Sequence, residues 1–162
     1  MAYLILVRHA KAIDRMDADD DFERGLTPRG RKDAKRAAEI IASADLKPDL
    51  ALVSPAQRTL QTLDAMRDHL GDPPVESPMA LYHASPNLLV RAAEDALTRA
   101  QCIIMVGHNP GMGSFALDLA FQADAATRMP DGYPTAAATV FELENGSLES
   151  PKLVSVFDPK SG

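Results

Sequence analysis

The stretch that most constrains this chain is its first ten residues, Met1-Ala2-Tyr3-Leu4-Ile5-Leu6-Val7-Arg8-His9-Ala10. A continuous apolar run this short, stopping abruptly at Arg-His, reads as a buried central strand. It delivers two basic side chains to the carboxyl edge of a sheet, where open α/β sheets bind their ligands. The arrangement recurs twice: Leu50-Ala51-Leu52-Val53 runs into Ser54-Pro55-Ala56-Gln57-Arg58, and Ile103-Ile104-Met105-Val106 runs into Gly107-His108-Asn109-Pro110-Gly111. Three strands each end in a cation, which predicts that Arg8, His9, Arg58 and His108 converge on one phosphate. Successive strand residues face opposite ways, so Arg8 and His9 can share a pocket only if the first strand ends at Val7 or Arg8.

Helices are expected between the strands. Thr27 caps the first and Pro28 opens it, where a missing N–H costs nothing. It runs to about Ser43, with Ala34, Ala37, Ala38, Ile40 and Ile41 as its packing face. Ser54 is the candidate cap of a second helix ending at Gly71, and this puts Arg58 in a first turn whose positive end favours anions. A short strand is expected at Val75 to Glu76, a helix from Pro86 to about Ala100, a strand at Cys102 to Val106 and a helix at about Gly113 to Gln122. Ala136 to Leu143 and Leu148 to Val156 flank Asn145-Gly146 and read as a hairpin. The expected fold is one domain over residues 1–162, a three-layer α/β/α sandwich whose mainly parallel sheet is completed by antiparallel C-terminal strands.

A formal charge of −6 and a pI near 5.1 argue against nucleic acid as a partner, which would want a basic stripe. A local basic pocket in an acidic protein suits a small anion. The lone Cys102 cannot form an intramolecular disulfide and is expected to be buried and inert. The N-terminal apolar run is interrupted before it reaches the length of a signal peptide or membrane span, so a cytoplasmic protein without a membrane partner is expected. Residues 11–25 carry Asp14, Asp17, Asp19, Asp20, Asp21 and Glu23. Charge clusters mostly just hydrate, so a solvated surface loop is expected, with a movable acidic rim over the site as the alternative.

Phosphoryl transfer asks a protein mainly to position reactants and to stabilise charge on three oxygens. Planar, permanently charged guanidiniums suit that task, and a histidine kept neutral by neighbouring arginines can supply the nucleophile. These residues resemble the histidine phosphatase superfamily, which includes the phosphoglycerate mutases. The resemblance continues through Leu26-Thr27-x-x-Gly30, Ser54-Pro55-x-x-Arg58-x-x-x-Thr62 and Val106-Gly107-His108, in the right order. Within it the chain looks most like the small SixA-type phosphohistidine phosphatases, through Arg8-His9-Ala10-Lys11-Ala12, Leu81-Tyr82-His83-Ala84, Gly107-His108-Asn109-Pro110-Gly111 and Tyr133-Pro134-Thr135-Ala136-Ala137. The resemblance implies that His9 takes the phosphoryl group transiently while Arg8, Arg58 and His108 hold its oxygens. Asn109 is a further candidate for phosphate contact.

Two positions depart from the wider pattern. Ala10 replaces a glycine, which excludes only a backbone needing positive φ. Mutase-like members carry a glutamate as proton donor where this chain has His83. An imidazole leaving group departs readily once protonated, so His83 as general acid favours phosphohistidine over a sugar phosphate. The expected substrate is a protein phosphohistidine, on a histidine phosphotransfer domain or a phosphotransferase carrier. The alternatives are a phosphatase of small phosphoesters and a module that binds phosphohistidine without cleaving it. His9, His83 and His108 also supply enough nitrogens for zinc, but the flanking arginines would repel a cation, so no metal and no cofactor are expected.

Overall fold

In the computed structural model, which describes residues 1–161, strands and helices follow in the order β1 (Ala2–Arg8), α1 (Pro28–Ala42), β2 (Leu50–Val53), α2 (Gln57–Leu70), β3 (Val75–Glu76), α3 (Pro86–Leu97), β4 (Cys102–Gly107), α4 (Gly111–Gln122), β5 (Ala138–Leu143) and β6 (Pro151–Phe157). One sheet holds all six strands in the order β3-β2-β4-β1-β5-β6. β1 to β4 pair in parallel, whereas β5 is antiparallel to β1 and β6 to β5. This is the expected mixed sheet.

The period of two along β1 explains why its apolar run is continuous. Leu4 and Leu6 enter the core formed with α3 and α4, while Ile5 and Val7 enter the core beneath α1 and α2. All four are fully buried. β4 divides in the same way, Ile103 and Met105 to one face and Ile104 and Val106 to the other. On α1, Ala34, Ala37, Ala38 and Ile41 form the buried stripe at helical spacing, and Ile40, which the sequence reading added to it, falls outside and is exposed. Cys102 is buried, and burial pushes its thiol up to about 12.

Several boundaries differ from the expected ones. α3 stops at Leu97, where the Thr98 hydroxyl donates to the Asp95 carbonyl at 2.6 Å, and α4 starts two residues early at Gly111. The final strands are joined by residues 144–150, so Asn145-Gly146 does not form a two-residue turn. Both residues do adopt positive φ, 56° and 70°. Thr27 caps α1 as expected, its hydroxyl accepting from Gly30 N–H at 3.0 Å. A Cβ on Gly30 would sit 2.2 Å from the Lys11 carbonyl oxygen, so α1 docks against the segment leaving β1 only with glycine there. Gly30→Ala is expected to destabilise the protein by roughly 1–3 kcal/mol. An unchanged thermal midpoint would contradict that.

The topology places the functional crevice. After β1 the chain crosses through α1 to β2, and after β4 it crosses through α4 to β5 on the opposite side of the sheet order. The connections diverge at the carboxyl ends of β1 and β4, which leaves a cleft there. Among the described residues, no helix is long and apolar enough to cross a membrane.

Candidate active site

β1 ends at Arg8, so His9 is freed from strand alternation and the geometric requirement is met. Three neighbours pin this corner. His9 N–H donates to the Gly107 carbonyl at 3.0 Å, the Arg8 and His9 carbonyls accept from Ala136 N–H at 3.2 and 3.0 Å, and Ala10 N–H donates to Thr62 Oγ1 at 2.9 Å. Ala10 has no positive φ, so an alanine is accommodated where the wider pattern has glycine.

The His9 ring is 8% exposed, and its Nδ1 lies 2.8 Å from the Ala10 carbonyl oxygen. A carbonyl only accepts, so Nδ1 carries the hydrogen and Nε2 keeps its lone pair. Burial is the leading reason that the His9 pKa falls to about 4. The Ala10 hydrogen bond opposes the shift, and repulsion from Arg58, Arg8 and Arg24 adds to it. The neutral imidazole expected from the sequence is therefore present, but its main cause is desolvation, with the arginines second.

His108, just past β4, lies with its ring centre 5.4 Å from that of His9. Its Nε2 is 2.7 Å from Ser54 Oγ, which in turn accepts a long 3.4 Å contact from Ala56 N–H. A Ser54 hydroxyl that donates to Nε2 leaves the hydrogen of His108 on Nδ1. Ser54 thus does not cap α2, which begins at Gln57 with no side-chain cap; it orients His108 instead. Burial, then His9, Arg58 and His83, lower the His108 pKa to about 3.

Arg58 sits in the first turn of α2 and is 5% exposed. Its Nη1 donates to the Asp21 carbonyl at 2.7 Å and its Nη2 to Asp21 Oδ2 at 3.0 Å. Asp21 also accepts from the Tyr82 hydroxyl and from Arg24 Nη1 at 3.0 Å. These partners, Tyr82 foremost, hold its carboxyl well below the usual carboxylate range. Residues 11–25 are therefore anchored at Asp21, while Asp14, Asp17, Asp19 and Asp20 remain exposed. Arg8 donates to the Tyr133 carbonyl through a long 3.4 Å contact. Arg8 Nε, Arg58 Nε and His108 Nδ1 are buried without a hydrogen-bond partner among the described residues. Buried polar groups normally find partners; Arg67 Nε, outside this pocket, lacks one as well, and it is the gathering of the Arg8 and Arg58 guanidiniums with the imidazoles on one pocket that suits an anion.

Arg8, His9, Arg58, His83 and His108 all line one pocket of about 320 Å³. His83 is exposed on the turn after residues 79–81 and stacks on Tyr82, with ring centres 4.0 Å apart. Asn109 also lines the pocket, but its amide is committed elsewhere. It donates to the Gly132 and Tyr133 carbonyls at 3.1 and 2.9 Å, and its Oδ1 accepts from Gly113 N–H at 3.0 Å. Asn109 is thus a brace and helix cap with no side-chain N–H left for phosphate. Lys11, Arg24 and Thr135 line the pocket as well, and Asp21, expected only as part of a solvated loop or acidic rim, is the residue that ties that loop to Arg58. Tyr133 is buried and donates to the Leu6 carbonyl at 2.5 Å. His69, away from the site, faces Glu39 at 3.6 Å.

The two buried imidazoles also bear on acid stability. Their folded pKa values, about 4 and about 3, lie below the unfolded value near 6.5. Between those limits the unfolded chain binds more protons, so stability is expected to fall as pH drops from 6.5 toward 4. Denaturant titrations of the parent and of a His9→Asn/His108→Asn variant check this. The variant should show the flatter dependence.

A model of the histidine phosphatase superfamily (branch 1) matches residues 4–81. An uncharacterized protein of Mycobacterium tuberculosis is 30% identical over 142 residues, which span 85% of this chain and 87% of that protein. A provisionally assigned phosphohistidine phosphatase SixA from Agrobacterium tumefaciens superposes with a TM-score of 0.83 at 27% identity, covering 98% of this chain and 99% of that one. A protein histidine phosphatase SixA complexed with tungstate shares the fold at a TM-score of 0.77 and 21% identity, covering 97% of each chain.

Proposed function

The chain belongs to the histidine phosphatase superfamily, in its SixA-type branch, and is a phosphatase; from that premise we propose that it removes the phosphoryl group from phosphohistidine on another protein, through His9 and without a metal. The observation that carries this reading is the convergence of Arg8, Arg58, His83 and His108 on the one pocket that the neutral His9 ring also lines. The similarity to a protein histidine phosphatase that holds tungstate, a tetrahedral oxyanion, supports it.

In the first step His9 Nε2 attacks phosphorus, and the N–P bond to the substrate imidazole breaks. The leaving nitrogen takes a proton from His83. Arg8, Arg58 and His108 hold the three spreading oxygens, the electrostatic task that dominates such reactions. In the second step water attacks the phosphohistidine on His9. His83, now neutral, accepts the water proton, phosphate leaves and both imidazoles are restored. The partner is a phosphohistidine-bearing protein such as a histidine phosphotransfer domain or a phosphotransferase carrier.

Phosphate release from such a phosphorylated carrier, run beside a panel of small phosphoesters with EDTA present, tests the reading. Release from the carrier, unaffected by EDTA, is expected. Release from a small ester alone would move the substrate to metabolism, and binding without release in a single turnover would make the protein a recognition module. His83→Ala is expected to slow phosphohistidine cleavage by about 10²-fold. Undiminished turnover in that variant would remove His83 from the mechanism.

A further inference from the structure

A basic groove leaves the pocket on the Arg8 side. It has a volume of about 580 Å³, is lined by Arg8, Lys11, Thr27, Arg29, Asp33 and Lys160, and shares Arg8 and Lys11 with the phosphate pocket. It continues along α1 as a second depression of about 770 Å³ among Arg29, Lys32, Arg36 and Lys160. These cations belong to a protein whose formal charge is −6, so their concentration on one face runs against the overall balance.

The array is also held in place. Asp33 is buried beneath it, and its Oδ1 lies 3.4 Å from both Arg29 Nε and Arg36 Nη1. Arg36 further rests 5.3 Å over the ring of Phe157. One carboxylate between two guanidiniums leaves a net positive pair, to which exposed Lys11, Lys32 and Lys160 add. Such a surface keeps a positive potential that acts within about a Debye length, roughly 10 Å at 0.1 M salt.

We infer that this groove is a docking surface for the acidic flank of the phosphohistidine-bearing protein, with Arg29, Lys32 and Lys160 contacting carboxylates beside the residue that enters the pocket. The inference rests on the phosphohistidine reading and adds a charge preference to it. A substrate histidine in the pocket necessarily brings its neighbours over the rim, and on the Arg8 side that rim is cationic. The exposed Asp14 also lines the pocket but not the groove, so the acidic requirement applies to the flank that lies along the groove.

Helix geometry supplies the control. Arg31 and Lys35 are exposed on the same helix but do not line the groove, because at 3.6 residues per turn they fall on a different face from Arg29, Lys32 and Arg36. The test uses three peptides of equal length with a central phosphohistidine flanked by Glu, Ser or Lys, plus free phosphohistidine as a probe of the chemistry alone. At low salt kcat/KM is expected to be at least about tenfold higher for the Glu peptide than for the Lys peptide, with the ratio collapsing at high salt. Arg29→Glu/Lys32→Glu should abolish or invert that preference and leave free phosphohistidine turnover unchanged, whereas Arg31→Glu/Lys35→Glu should keep it. A flat peptide ranking, or one that survives in the groove variant, overturns the docking surface while free phosphohistidine turnover upholds the chemistry. No turnover of any of the four overturns the phosphohistidine reading and the docking surface together.

Discussion

His9→Ala is expected to lower kcat on a phosphohistidine substrate by roughly 10⁴-fold or more, since removal of a covalent nucleophile leaves only binding and electrostatic stabilisation. Unfolding should not explain the loss, because the corner is held by backbone bonds from His9 to Gly107 and Ala136 that survive the substitution. The parent carries a second signature. Proton competition for Nε2 sets in only near the His9 pKa of about 4, so the acid limb of kcat/KM should lie near that value and well below the ordinary histidine range. Trapping a labelled phosphoenzyme at low pH in the parent and not in His9→Ala would assign the intermediate. A variant that still turns over within tenfold of the parent would exclude His9 as the nucleophile.

Much of this site was legible because its parts sit at strand ends. An apolar run that stops at Arg8, another that stops before Ser54 and a third that stops before Gly107 already mark three buried strands and the sheet edge that carries the cations, while the order β2-β4-β1 in which they pair is set by long-range contacts. Hydrophobic periodicity constrains side chains that face a sheet, and these strands are buried on both sides. What stayed illegible depends on contacts with no local period. Asp21 is one of six acidic residues in the same loop, and nothing in its spacing sets it apart; the contact that selects it spans 37 residues, to Arg58. Asn109 looked like a phosphate ligand because its type and position suit one. Only the approach of the Gly132 and Tyr133 carbonyls shows that its side-chain donors are spent. Ser54 erred the other way, since its helix starts later than Pro55 suggests and its hydroxyl turns to His108.

The Asp21 contact makes Arg58→Ala the second large expected effect. Each Nη group of Arg58 gives one hydrogen bond to Asp21, which fixes the guanidinium in place, while each keeps a second hydrogen and Nε–H has no partner. Losing one preorganised donor of this kind costs about 10²–10³ in rate. A lysine cannot restore it, because a point charge on a flexible stem lacks the planar fork that engages Asp21 and the phosphate together. Arg58→Lys is therefore expected to recover less than tenfold of the loss. Asp21→Asn separates the two roles: it weakens the hold on residues 20–24 but leaves Arg58 Nε in the molecule, so it should cost less activity than Arg58→Ala while speeding proteolysis within that loop. If Asp21→Asn and Arg58→Ala instead lose activity equally and are cleaved at equal rates, Arg58 would serve the reaction by anchoring the loop, and the task of holding the phosphoryl oxygens would fall to Arg8 and His108.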